Sequence, residues 1–129
     1  MPVHKTADIR NVLFAGHQAT GKTSLIEALL VHAKAIGKAG GPTGKDTVCD
    51  YEPEEKLHGH SLKSALAHLS HEGRLINIID SPGSGDFIGH AVAAMGAVEC
   101  VACFIDATKG IEVNTRRVIK VAAELGLPR

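Results

Sequence analysis
The chain has 129 residues, enough for one domain with one modest core. Apolar residues make up 44% and aromatics only 3%, so aliphatic side chains must build that core, and no stretch approaches the roughly 18 consecutive apolar residues of a membrane span. Fourteen basic residues balance fourteen acidic ones with no basic block, which leaves this segment without a direct nucleic-acid patch.

The opening Met1-Pro2-Val3-His4-Lys5 lacks an apolar signal core, and three cysteines, Cys49, Cys100 and Cys103, are odd in number and fit reduced thiols; a cytoplasmic location is the expectation. Asn11 to Ala15 is a short apolar run ending at Gly16 and predicts a central strand. Lys22 to about Ile36 predicts a helix with Leu25, Ala28, Leu29, His32 and Ile36 on one face. From Gly37 to Thr47 the glycine-rich GKAGGPTGKDT predicts a loop.

Ser61 to Leu69 and Leu75 to Asp80 predict an antiparallel hairpin joined by Ser70-His71-Glu72-Gly73, with Gly73 at positive φ. Ile88 to Gly96 predicts a short helix, Val98 to Asp106 a buried strand, and Val113 to Leu125 a helix stopped by Gly126 and Pro128. The C-x-x-C spacing of Cys100 and Cys103 lies inside that apolar strand and reads as small core side chains. Strands alternating with helices imply an α/β fold: a mostly parallel sheet with one antiparallel edge strand and helices on both faces. The last strand lacks a following partner before Arg129, so a domain cut short, with an apolar edge left open, is expected.

Between the first strand and helix lies Gly16-His17-Gln18-Ala19-Thr20-Gly21-Lys22-Thr23-Ser24, a complete G-x-x-x-x-G-K-[ST] in the strand-loop-helix context the motif requires. Gly16 and Gly21 permit backbone angles that turn successive N–H groups inward onto phosphate oxygens. The helix N-terminus adds partial positive charge, Lys22 a full one at the β/γ phosphates, and the Thr23 hydroxyl is placed for Mg²⁺.

Asp80-Ser81-Pro82-Gly83 follows the apolar run Leu75 to Ile79. Beside a phosphate loop, an Asp ending the neighbouring strand takes the position that holds Mg²⁺, and Gly83 can turn its N–H toward a γ-phosphate. Taken alone, an Asp there is a cap or turn former; the phosphate loop decides for the metal.

GHQATGKTS, DYEPEEKLHGHSLKSA and INIIDSPGSGDFIGH together resemble the GTP-binding domain of translational GTPases of the elongation factor G family, from about Ile9 to Arg129. The middle segment is most similar to elongation factor G-like paralogues. The resemblance implies a P-loop NTPase fold of the translation-factor type, GTP/GDP as ligands with Mg²⁺, and the ribosome as partner of the full-length protein. It implies a first switch over residues 37–60, with Ser61 matching the switch threonine that meets Mg²⁺ and the γ-phosphate, and a second over residues 80–90. The family's guanine-reading Asn-Lys-x-Asp is expected to follow Arg129.

Two departures stand against the family pattern. Ser84 occupies the place of the histidine that orients the attacking water, and Ala19 that of an Asp in the phosphate loop. A serine hydroxyl cannot reach as an imidazole does, so slow intrinsic hydrolysis is expected. His90, on the next helix, reads as a solvated residue before a catalytic one. Two alternatives stay open: a nucleotide-binding pseudo-GTPase without useful turnover, and an ATP-using P-loop protein.

Overall fold
The computed structural model describes residues 4–40, 46–49 and 61–129. Four strands, β1 (Ile9–Gly16), β2 (Ala65–His71), β3 (Arg74–Asp80) and β4 (Cys100–Phe104), form one sheet in the order β2-β3-β1-β4. β1 runs parallel to β3 and β4, while β2 pairs antiparallel with β3 at the edge. The expected mixed sheet is present.

Among the described residues three α-helices cover it: α1 (Lys22–His32), α2 (Ile88–Ala94) and α3 (Val113–Glu124). Side chains alternate across β1, so Leu13 and Ala15 join Met95, Val101, Val118 and Ala122 on one face while Phe14 joins Ile26, Leu30, Ala67 and Ile78 on the other. The chain therefore builds two small aliphatic cores on opposite faces of the sheet, α1 covering one and α2 with α3 the other.

Several boundaries differ from expectation. α1 stops at His32 rather than near Ile36, because the Ala35 and Ile36 amides both turn back to the Leu30 carbonyl and Lys34 takes φ 57°. Its buried face is Lys22, Ile26, Glu27 and Leu30, whereas Leu25 is 43% exposed and Ala28 is exposed. Apolar residues surround most of this helix, so spacing alone does not single out one face. The first hairpin strand begins at Ala65, not Ser61, and runs on through Ser70 and His71 of the expected loop, while the second begins at Arg74, one residue early. Only Glu72 and Gly73 turn the hairpin, with φ of 48° and 78°, the double positive-φ pair of a type I′ connection. α2 ends at Ala94 and tightens into a 3-10 turn over Met95–Ala97, and β4 is confined to Cys100–Phe104.

The outer edge of β4 meets the end of the chain, where the Val101 amide donates to the Pro128 carbonyl at 2.9 Å. Burial raises the Cys100 and Cys103 thiols above their ordinary pKa, so both stay protonated and unreactive at neutral pH. Among the described residues no helix is long and apolar enough to cross a membrane.

Ile26 has no exposed surface and Leu66 is 66% exposed. Ile26→Ala should therefore cost about 2–5 kcal/mol in urea unfolding, while Leu66→Ala should stay within roughly 0.5 kcal/mol.

Candidate phosphate-binding site
The pairing of β1 with β3 ends at Phe14 opposite Asp80, and this brings the two sequence signals together. The chain beyond Asp80 is tied to β1 twice: the Ser81 amide and the Ser81 hydroxyl both donate to the Phe14 carbonyl, at 3.2 and 2.9 Å. Ser81 and Pro82 are buried, so the turn leaves the sheet in a fixed direction.

The loop from Gly16 to Gly21 curls at the C-terminal end of β1. Gly16 is required there by contact, since a Cβ on it would lie 2.5 Å from the Phe104 carbonyl oxygen of β4. Gly21, at φ 87°, turns the chain into α1. Gln18 and Ala19 are exposed at the crest, Ala19 with φ 60°, and the Thr20 hydroxyl donates to the His17 carbonyl at 2.9 Å. Ser24 is exposed on the first turn of α1.

Lys22 is only 7% exposed and folds back over the loop, its Nζ donating to the carbonyls of His17 at 2.8 Å and Gly16 at 3.4 Å. Burial pulls its pKa below the ordinary lysine value, and the Asp80 carboxylate pulls the other way. The Thr23 hydroxyl donates to Asp80 Oδ2 at 2.6 Å. Thr23 and Asp80, 57 residues apart, thus converge, and a hydroxyl with a carboxylate is the hard-oxygen set that suits Mg²⁺.

Gly83 lies directly against the loop. A Cβ there would stand 2.5 Å from Gln18 N and 2.6 Å from His17 C, so backbone meets backbone. Ser84 follows in extended conformation, its carbonyl accepting the Phe87 amide at 3.2 Å to close the 3-10 turn Gly85–Phe87. His90 is exposed, its ring centroid 6.2 Å from that of Phe87. Ser61 is half-buried four residues before Ala65, the residue that pairs with Asp80. Most of the expected first switch, including Asp50 to His60, lies outside the described residues.

Two sets of supporting residues had no signal strong enough to be picked out beforehand. Glu27, buried in α1, accepts from the Gly40 amide at 2.7 Å and the Val48 amide at 2.5 Å, holding both flanks of the glycine-rich loop. At the start of α3, Asn114 Nδ2 donates to the Gly83 carbonyl at 2.9 Å, Thr115 accepts the His17 amide at 3.3 Å, and Glu112 meets His17 Nε2 at 3.3 Å. A carboxylate beside the buried Ile26, and a polar E-x-N-T opening an amphipathic helix, were the available hints.

A strand-loop-helix with an inward lysine, and a β3 carboxylate on the helix's second residue, define a P-loop nucleotide-binding protein. The chain belongs to the family of the elongation factor Tu GTP-binding domain, which matches residues 7–129. It is 37% identical over 121 residues to an elongation factor G-like protein of Mycobacterium tuberculosis, covering 94% of this chain and 17% of that protein. It is 31% identical to the mitochondrial ribosome-releasing factor 2 of Yarrowia lipolytica, over 96% of this chain and 16% of that one. A crystal structure of a Thermus thermophilus protein superposes with a TM-score of 0.91 at 39% identity, over 95% of this chain and 19% of the other. The chain thus spans less than one fifth of each of these relatives.

Because Glu27 holds both Gly40 and Val48 to α1, Glu27→Ala should loosen this loop. Trypsin cleavage after the exposed Lys38 should then quicken by at least about ten-fold, the lower bound for one lost hydrogen bond to a charged acceptor, while the far-UV spectrum is unchanged.

Proposed function
We propose that this chain is the nucleotide-binding part of a GTP hydrolase of the elongation factor G-like kind, acting on the ribosome. The observation that carries the reading is the 2.6 Å contact of Thr23 with Asp80 beneath the inward-folded Lys22. Supporting it, one relative is named as an elongation factor G-like protein and another as a ribosome-releasing factor.

In this reading the N–H groups of Gly16 to Ser24 and the Lys22 ammonium hold the β and γ phosphates. Lys22 exchanges its two carbonyl acceptors for phosphate oxygens when nucleotide arrives, so the site is charged and oriented beforehand. Thr23, Asp80 and Ser61 would hold Mg²⁺, which supplies charge neutralisation between the β and γ phosphates. Residues 37–60 and 80–90 act as the two switches, and Ser81, Pro82 and Gly83 place the second one beside the phosphate loop. Water attacks the γ-phosphorus, the bond to the β–γ bridging oxygen breaks, and GDP and inorganic phosphate leave with release of the water's proton.

Ser84 sits where the family's water-orienting histidine stands, and its hydroxyl is too short to take over that position. Chemistry is consequently slow without a partner, and the ribosome completes it. The decisive experiment is single-turnover GTP hydrolysis by the protein carrying this chain, alone and with ribosomes, beside a Ser84→His variant. Strong ribosome stimulation of the native protein is expected, and Ser84→His should raise the unstimulated rate by roughly 10- to 100-fold. GTP binding with no phosphate release under any condition would instead make the protein a sensor without turnover.

The sign of the pH dependence follows from Lys22. Its pKa is lowered in the free site, and phosphate favours the charged ammonium, so binding at alkaline pH takes up a proton. Nucleotide affinity should therefore fall as pH rises, beginning below the ordinary lysine range, as read by titration of a fluorescent GDP analogue. Lys22→Ala should weaken binding at every pH and remove this slope.

A further inference from the structure
The first turn of α3 grips both banks of the phosphate site. Asn114, 5% exposed, donates from Nδ2 to the Gly83 carbonyl at 2.9 Å, and its side-chain amide also lies 3.6 to 3.7 Å from where a Cβ on Gly85 would stand. Thr115, 1% exposed, accepts the His17 amide and donates to the Phe104 carbonyl at 3.5 Å, while Glu112 meets the His17 ring. Loop and turn are therefore referenced to one rigid element.

The two grips are not equivalent. Gly83 already touches the backbone of His17 and Gln18, so the turn cannot move closer to the loop and can only move away. Ser81 anchors the turn at its start, two residues upstream. Beyond that anchor, the Asn114 bond is the described side-chain contact that opposes departure. It also fixes an orientation: the peptide joining Gly83 to Ser84 is planar and trans, so holding the Gly83 oxygen on Asn114 aims the Ser84 N–H the opposite way. An amide NH₂ can only donate and a carbonyl can only accept, so the pairing has one sense.

We propose that Asn114 is a positioning residue that sets the Gly83–Ser84 peptide, and through it both the placing of Ser84 and the discrimination between a nucleoside triphosphate and a diphosphate. The proposal rests on the nucleotide-switch reading above. A diphosphate needs only the loop, whereas a third phosphate meets the turn, so disturbing Asn114 alters the triphosphate's contacts selectively.

The test uses Asn114→Asp, which places an acceptor against the Gly83 carbonyl with almost no change in shape, and Asn114→Ala, which deletes the donor without adding charge. Thr115→Val is the control on the same helical turn. In the nucleotide-free protein carrying this chain, hydrogen exchange over residues 81–87 should quicken about ten-fold in both Asn114 variants, the size of one net hydrogen bond, with β1 and α1 unchanged. Thr115→Val should leave 81–87 within two-fold. Competition binding should show the GTP-to-GDP affinity ratio moved at least five-fold by Asn114→Ala, with GDP affinity moved less than two-fold.

Unchanged exchange over 81–87, or a uniform rise across the chain, overturns the positioning role. Faster local exchange with an unaltered GTP-to-GDP ratio overturns the discrimination. If the native protein carrying this chain binds neither nucleotide, the functional reading fails separately, while the exchange measurement still decides what Asn114 holds.

Discussion
The site depends on one constraint: the register of parallel strands β1 and β3, which sets Phe14 opposite Asp80 where their pairing ends. From that register the phosphate loop and the acidic turn emerge side by side, and the two bonds from Ser81 to the Phe14 carbonyl prevent the turn from drifting. A slip of one residue would reverse every side chain of β3, burying Ile79 where Ile78 now sits and aiming Asp80 away from Thr23. The aliphatic cores on the two faces of the sheet thus do more than stabilise the fold. By fixing register they fix the 2.6 Å approach of Thr23 to Asp80.

Burying Lys22 and Asp80 together is costly, and the loop offsets that cost with its own backbone. Carbonyls of Gly16 and His17 accept from the ammonium, and the nearby carboxylate favours its charge against the desolvation that opposes it. Apolar isosteres at both positions together would cost the fold little, whereas one alone would strand the other's buried charge. Their presence is explained by what they can bind, which is the signature expected where local rules of stability are broken at a functional site.

How much of this was legible in the sequence depends on the range of the interaction. Gly16, Gly21, Lys22, Thr23 and Asp80 were readable because a phosphate cradle imposes fixed spacing along the chain and Asp80 closes an apolar run. The hairpin was legible through Gly73 but not its tightness, because Glu72 also adopts positive φ, which non-glycine residues rarely do. The face of α1 was not legible because its apolar residues encircle it; burial there is decided by the sheet it lands on. Glu27 and Asn114 were illegible for a different reason. Their partners are backbone groups 13 and 31 residues away, and a backbone acceptor or donor leaves no trace in residue identity.

That same feature suggests how the site's parts are coupled. Glu27 holds the flanks of the glycine-rich loop from α1, and the start of α3 holds the acidic turn and His17, so each candidate switch is referenced to a helix that packs on a different face of the sheet. The loops can then respond separately to a ligand, one through α1 and one through α3. Both helices reach the phosphate loop: Lys22 and Thr23 begin α1, and His17 is bonded to the start of α3. Among the described residues, side chains bonded to backbone thus tie each of these loops to its own helix without any specialised residue at the contact itself.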